Sequence, residues 1–364
     1  MEFLIKSRYL PNDKNLLKVI NIAALRLYNK LSNMDISSLN ISEYIENYFQ
    51  KLLRNLKGSL QKYSYLLSLC LYRNKKPFNE LCFIDYGAGS GLFSLLAKEL
   101  GIGNVLYNDI YDVSCHDAKE IATSLAIPAE EYICGEIQDI VDYCKRNSLN
   151  CDAIGSFNVI EHIYDIEYFL NQLVHLSNNN LSIVLASGAN PFNPVLKRSI
   201  LKHHNEREFY DRKLEYGHKG TDTLKAYTSI RKEIITNYFK DRLDKKDINL
   251  LVRITRGLTE KDIVKCINNY PNMQNLPKVS ESKFPTNTCD PYTGNWAERL
   301  MDPYELIEIL NKNGFTTQVY MGLHEQYYKL ILNIIGIFAN KLMNLFPRQA
   351  KFLAPYYVLY GFKE

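Results

Sequence analysis

Apolar residues fall in two rhythms along this chain. Between 81 and 189, short apolar runs alternate with stretches whose apolar residues recur every three or four positions. The runs at 81–86, 104–109, 131–134, 152–157 and 181–188 predict strands, and the segments between them predict helices. That alternation predicts an α/β fold with a parallel sheet wound on both faces. A helix is expected to start at Asp302-Pro303, run through Leu310 and stop at Asn313-Gly314. A sixth strand, Thr316 to Tyr320, and a seventh, Tyr356 to Phe362, would complete the sheet.

Three further segments carry the helical rhythm. In residues 1–80, Leu16, Leu17, Val19, Ile20, Ile22, Ala23, Leu25 and Leu27 form one apolar surface, and Ile45, Tyr48, Phe49, Leu52, Leu53 and Leu56 form another. These predict a helical extension that packs against the sheet or lies over its ligand as a lid. Residues 190–301 are far too long for a loop and need structure of their own, with helices expected at 221–239, 245–255 and 259–270. Within 323–350, the stretch 328–346 is apolar except for a stripe at Lys329, Asn333, Asn340 and Asn344. So apolar a helix is expected to be buried in the core or in a homodimer interface rather than to meet a membrane. The expected domains are therefore an N-terminal extension (1–80), a core (81–189), an insertion (190–301) and a core completion (302–364).

Composition narrows the partners. The chain has 364 residues, 46% of them hydrophobic, with a net charge of +4, so it gives no strong nucleic-acid signal. Its eight cysteines form no C-x-x-C pair, which argues against a zinc knuckle and for a reducing, cytoplasmic setting. The first residues lack a signal peptide's apolar region, and no run of about 20 apolar residues predicts a transmembrane span.

The candidate chemistry begins at Phe83-Ile84-Asp85-Tyr86-Gly87-Ala88-Gly89-Ser90-Gly91, a strand running into three alternate glycines, with a predicted helix from Leu92. Such a turn brings backbone amides close to a ligand. A dinucleotide fingerprint would place its third glycine where Leu92 stands, and no lysine follows to make a phosphate loop. Ligands of parallel sheets bind beyond the carboxyl ends of the strands, so the residues after each strand matter most. After the second strand, Asp109 lies 18 residues beyond Gly91. A carboxylate there can accept from both hydroxyls of a ribose, or it can cap a helix; Asp112 is the nearby substitute.

Asp85, two positions before the first glycine, makes this stretch resemble motif I of the class I S-adenosylmethionine (SAM) dependent methyltransferases. The resemblance implies a Rossmann-like seven-stranded methyltransferase sheet, SAM as cofactor, and cofactor binding by Asp85, Gly87, Ala88, Gly89, Gly91, Asp109 and Ile110. It also implies that Glu136, with Ile137 beside it, meets the adenine after the third strand; Asp139 could substitute for Glu136. Phe157 and Asn158 would lie against the methionine end. The Glu161-His162 pair after the fourth strand resembles that of ubiquinone-biosynthesis O-methyltransferases and would face the acceptor. His162 is then the candidate base, or else a structural histidine. Metal-using relatives carry a further Glu where this chain has Asn158, so no metal is expected.

Asn190-Pro191-Phe192 is similar to the acidic-Pro-Pro-aromatic motif of amino-methylating nucleic-acid enzymes, but it follows the fifth strand and not the fourth. For the acceptor pocket the candidates are Glu161, His162, Asn190 and, from the polar run Pro285 to Trp296, Asp290, Tyr292, Asn295 and Trp296. Lys197, Arg198, Lys202, His203, His204 and Arg207 form a solvated face or meet a phosphorylated or nucleotide-linked acceptor. The expected acceptor is a hydroxyl on a small molecule or glycan. A protein or RNA methyltransferase and a non-catalytic SAM-binding module are the alternatives.

Overall fold

The computed structural model describes residues 1–177, 180–213, 223–240, 242–268, 283–327 and 329–364. These divide into two compact units. The first holds 1–160, 167–188 and 302–364; the second holds 161–166 and 189–301.

The first unit is built on one seven-stranded sheet. Its strands are β1 (Cys82–Tyr86), β2 (Asn104–Asp109), β3 (Glu131–Cys134), β4 (Ala153–Phe157), β5 (Leu181–Ser187), β6 (Thr316–Met321) and β7 (Tyr357–Lys363), in the order β3-β2-β1-β4-β5-β7-β6. All neighbours are parallel until β7, which runs antiparallel to both β5 and β6. The chain moves outward from β1 through β2 to β3, then returns to place β4 on the other side of β1. The switch point, where α/β sheets bind ligands, therefore lies beyond the ends of β1 and β4. The two loops meet closely there, since a Cβ on Gly87 would stand 2.5 Å from Val159 Cγ2.

The N-terminal helices belong to this unit. They are α1 (Lys14–Ser32), α2 (Glu43–Arg54) and α3 (Leu56–Leu71). Leu60, Leu66 and Leu67 of α3 are wholly buried, and such burial stabilises by roughly 1.5–3 kcal/mol for each side chain. α3 packs on β4 and β5, and α1 packs on α3 and on α4 (Leu92–Leu100). Arg26 and Lys30 of α1 both pair with the buried Glu99 of α4, each at 2.7 Å. At the start of α2, the Ser42 N–H donates to Asp117 Oδ2 (3.0 Å) on α5 (Asp112–Ser124). The helix expected at 302 is α12 (Pro303–Lys312), with Asp302 accepting from the Tyr304 N–H at 3.0 Å.

One half of an expectation is overturned, the burial of the apolar stretch in the core. The apolar stretch forms α13 (Leu330–Leu345), with 328 outside the described residues, but it is not packed into the core. The asparagines of its polar stripe turn inward instead, with Asn340 buried, while Lys329, Ile331, Ile334, Ile335 and Phe338 are exposed. Hydrogen bonds hold that inward face. Asn340 accepts from the His324 N–H (2.9 Å) and donates to the His324 carbonyl (2.7 Å), bonds that no leucine could make.

The second unit is helical: α8 (Pro194–Phe209), α9 (Tyr227–Phe239), α10 (Lys245–Ile254) and α11 (Glu260–Ile267). The last three fall within the expected helical stretches, of which 221–222 and 269–270 lie outside the described residues. Sequence periodicity misses α8, because its buried positions are Ile200, His204 and Glu208, an inner face that is mostly polar. Glu208 is the hub. It accepts from Thr228 Oγ1 and Thr288 Oγ1, each at 2.7 Å, and pairs with the wholly buried Arg231. Burial pushes the Glu208 carboxyl up, but the Arg231 hydrogen bond and charge, with Arg256 and Thr228, hold it below the ordinary value.

Removing one partner of such a pair strands the other charge. Arg231→Met is expected to destabilise the chain by about 3–5 kcal/mol, and Arg231→Met with Glu208→Gln to recover much of that loss. Urea unfolding of the three proteins checks this. Equal midpoints for the single variant and the wild type would show that the pair does not organise the unit.

Candidate functional site

The glycine turn after β1 has no side chains with which to hold itself, and three neighbours fix it. Gly87, Gly89 and Gly91 take φ of +65°, +54° and +77°, a region that side chains disfavour. Asp85, at the end of β1, is 2% exposed and accepts from both the N–H and the hydroxyl of Ser94, each at 2.8 Å. That carboxyl therefore ties the strand to the first turn of α4. Asp109, ending β2, takes the Gly89 N–H on Oδ2 (3.0 Å) and the Tyr111 N–H on Oδ1 (3.0 Å). The Tyr107 hydroxyl donates to the Gly89 carbonyl at 2.5 Å.

What remains is a cradle. A Cβ on Gly89 would reach only the ring of Tyr48, at 4.0 Å, whereas one on Gly91 would touch Tyr107 and Ala118. Ile110 next to Asp109 is exposed, as is Glu136 at the head of α6 (Ile137–Arg146). Asp139 is engaged instead, accepting from the Glu136 N–H at 2.8 Å. Ile137 is buried. At the end of β4, Phe157 sits among Tyr63 and Tyr356, with the Lys62 ammonium 3.9 Å from its ring centroid. Asn158 has φ +58° and accepts from the Gly188 N–H at 2.8 Å. Asn tolerates that left-handed conformation, which accounts for its presence there. Sequence reading put Tyr48 on an apolar face that either packs or serves as a lid, and did not single out Lys62; only the fold brings them to these places.

The second unit gathers another group. Glu161 is wholly buried, and its carbonyl accepts from the Arg299 N–H at 3.0 Å. His162 Nδ1 lies 2.8 Å from the Trp296 carbonyl, and the Trp296 N–H returns a bond to the His162 carbonyl at 3.3 Å. A carbonyl only accepts, so Nδ1 carries the proton and Nε2 is left with its lone pair. Nε2 stands 3.8 Å from Glu298 Oε1. Glu161, His162 and Glu298 offer possible ligand atoms that all lie within 4.8 Å of one another. Glu298 escaped sequence reading because it is 136 positions from His162.

The polar run forms a closed turn. Asp290 accepts from the Tyr292 N–H (2.9 Å), and its own N–H donates to the Asn295 carbonyl (2.9 Å). Tyr292 and Asn295 are exposed. Trp296 is stacked on Tyr164, with centroids 6.1 Å apart and planes 19° apart, while the Arg299 guanidinium lies 4.5 Å from its centroid. Asn190 is buried, its Oδ1 accepting from the Phe192 N–H at 3.0 Å. The six basic residues are spread around α8 rather than gathered on one face, and His204 points inward to the Glu298 carbonyl (2.9 Å).

Comparisons place this geometry among known proteins. The chain is 28% identical over 133 residues to the ribosomal protein L11 methyltransferase of Fusobacterium nucleatum, a match covering 36% of this chain and 39% of that one. The matched part is thus about two fifths of that relative's length. The plantazolicin methyltransferase BamL, solved with a desmethyl analogue and S-adenosylhomocysteine (SAH), overlaps 96% of this chain and 98% of its own at 11% identity and a TM-score of 0.41. A SAM-dependent methyltransferase from Mesorhizobium loti overlaps 82% and 100% at 11% identity and a TM-score of 0.36. Both overlaps are too loose to bear on the site. No family model matches the chain. The core has the fold of the class I SAM-dependent methyltransferases, with the sheet order and the antiparallel β7 already described.

Asp85 supplies a test of how the turn is held. Burial raises its carboxyl from 3.8 to about 7, the Ser94 bonds offset this in part, and the charge of Asp109 adds to it. The folded protein then keeps a proton that the unfolded chain releases. That stabilisation is full below about pH 3.8 and is lost as the pH rises through about 7. Asp85→Asn should keep an acceptor for Ser94 and remove this slope. Unfolding free energies from denaturant titrations across that window should fall by roughly 2–4 kcal/mol more in the wild type than in the variant. Parallel pH profiles would show that Asp85 is not the titrating group.

Proposed function

We propose that this protein is a SAM-dependent methyltransferase acting on a hydroxyl of a small molecule or glycan. The observation that carries the reading is the open cradle at Gly89, a left-handed glycine beside a buried carboxylate at the topological switch point. The residues fit the cofactor by chemistry. Asp109 keeps acceptor capacity for a ribose diol, Ile110 offers an exposed apolar side chain for a base, and Glu136 offers an exposed carboxylate for its amino group. Asp85 acts through the turn it holds. Phe157 and Asn158, closing β4, are assigned to the methionine end, with Gly87, Ala88 and Gly91 lining the turn. When bound, SAM supplies an electrophilic methyl on a sulfonium.

The chain's own task is to position an acceptor oxygen and take its proton. His162 is assigned that role. Its Nε2 is the free acceptor, and the Trp296 carbonyl fixes the tautomer. Glu298 would stabilise the imidazolium once it forms. Tyr292 and Asn295 are assigned to acceptor contact, whereas Trp296, Asp290 and Asn190 shape the pocket through their turns.

We hold the reaction to be metal-free. A divalent ion bound by Glu161, His162 and Glu298 would occupy the same Nε2 and remove the base. We assign the protein a reducing, cytoplasmic setting, where buried thiols such as Cys82 and Cys144, at 3.6 and 3.5 Å from Cys151, stay reduced. A protein acceptor is the second reading, and the similarity to the ribosomal protein L11 methyltransferase of Fusobacterium nucleatum favours it.

Two experiments test the reading. Gly89→Val should fill the cradle and weaken SAH binding at least tenfold by calorimetry; unchanged affinity would sink the cofactor assignment. His162→Ala should lower kcat by about 10²–10⁴ with KM little changed. Activity should survive EDTA, and an activity lost to EDTA and restored by magnesium or manganese would replace the base with a metal site. Product masses from SAM with pooled small-molecule and ribosomal-protein acceptors separate the two acceptor readings.

A further inference from the structure

The outward face of α13 is apolar where a surface helix should be polar. Ile331, Ile334, Ile335, Phe338, Leu345 and Phe346 are each 56–73% exposed. The inward face is held by specific bonds. Asn340 grips both backbone groups of His324, and Asn344 Oδ1 accepts from the Arg8 N–H (3.1 Å) and from the Ser7 hydroxyl (3.2 Å). Gly336 lets the helix approach closely, since a Cβ there would stand 3.0 Å from His324 Cβ. With Asn340 and Asn344 so bonded, the helix cannot simply roll to hide its apolar side.

Charge identifies the occupant. From Gln326 to Lys363 the sequence has no Asp or Glu, but it has Lys329, Lys341, Arg348 and Lys351. Lys329, Lys341 and Arg348 are exposed. A two-fold dimer through this face would set like charges against like, with no acid in the segment to pair them. An anionic lipid surface supplies the missing charge. At 100° per residue Lys341 falls between Leu330 and Ile334, inside the apolar face. A lysine there is costly to bury against protein, whereas at a bilayer its ammonium can reach the headgroups while its stem stays with the apolar side chains. The helix has 16 residues, about 24 Å, which is short of a bilayer core of about 30 Å. Among the described residues no helix is long and apolar enough to cross a membrane. We propose that α13 is an in-plane anchor that sinks its outer face into the surface of an anionic membrane.

Flotation of the full chain tests this, with vesicles of phosphatidylcholine alone and of equal parts phosphatidylcholine and phosphatidylglycerol. Binding to the mixed vesicles should be at least tenfold tighter and should weaken with salt. Ile334→Ser with Phe338→Ser should lower it about tenfold or more, and Lys341→Glu with Arg348→Glu should abolish the preference for anionic lipid. All four positions are exposed, and circular dichroism should be unchanged. No flotation, equal binding to both vesicles, or variants that float like the wild type would overturn the proposal. So would a dimer seen by light scattering that the serine pair dissolves without any vesicle binding.

Discussion

The first unit depends on one buried carboxyl. A turn of three left-handed glycines gains nothing from side-chain packing and carries a high entropy cost on ordering. Asp85 meets that cost from below by joining the end of β1 to the first turn of α4 through both polar groups of Ser94. Asp109 and Tyr107 then fix Gly89 from the β2 side, through its N–H and its carbonyl respectively. The turn is thus held in place by the two strands that flank it, and at Gly89 its open side faces only the ring of Tyr48. This is preorganisation in a literal sense: the ordering is done before a ligand arrives.

The second unit solves a different problem. Its α8 contributes a polar inner face, and the unit closes around Glu208 and Arg231 instead of around apolar side chains alone. A buried ion pair is weak evidence for stability but strong evidence for a single register, because any slip of α8 against α9 would leave both charges unmatched. The same demand reaches the return segment. Thr288 bonds Glu208, and eight residues later Trp296 locks the tautomer of His162. The position of that imidazole is therefore set by the polar core of its own unit.

Most of the first unit was legible in the sequence, because each signal there is local. Apolar runs gave all seven strands, Asp302-Pro303 gave the start of α12, and the glycine spacing gave the turn. What could not be read was non-local or polar. α8 showed no apolar stripe, because His204 and Glu208 occupy two of its buried positions. Glu298 reaches His162 across 136 positions, and Tyr48 faces Gly89 from a helix read either as packing or as a lid, with no residue singled out. Asn158, which the sequence offered as a lost metal ligand, has a backbone reason as well, since a left-handed turn after β4 suits Asn.

The segment 330–345 shows the limit of periodicity most clearly. A helical wheel identifies a polar stripe and an apolar face, but it does not say which of them points inward. The usual assumption rests on the cost of leaving apolar surface in water. Here that cost competes with the loss of the Asn340 bonds to both backbone groups of His324. Each such bond contributes only about 0.5–1.5 kcal/mol, while exposing a Leu, Ile or Phe forgoes roughly 1.5–3 kcal/mol. On hydrogen bonds alone the inverted orientation should lose. An apolar phase beside the helix, as proposed for the anchor, would remove the cost of the exposed face and leave the Asn340 bonds to set the orientation.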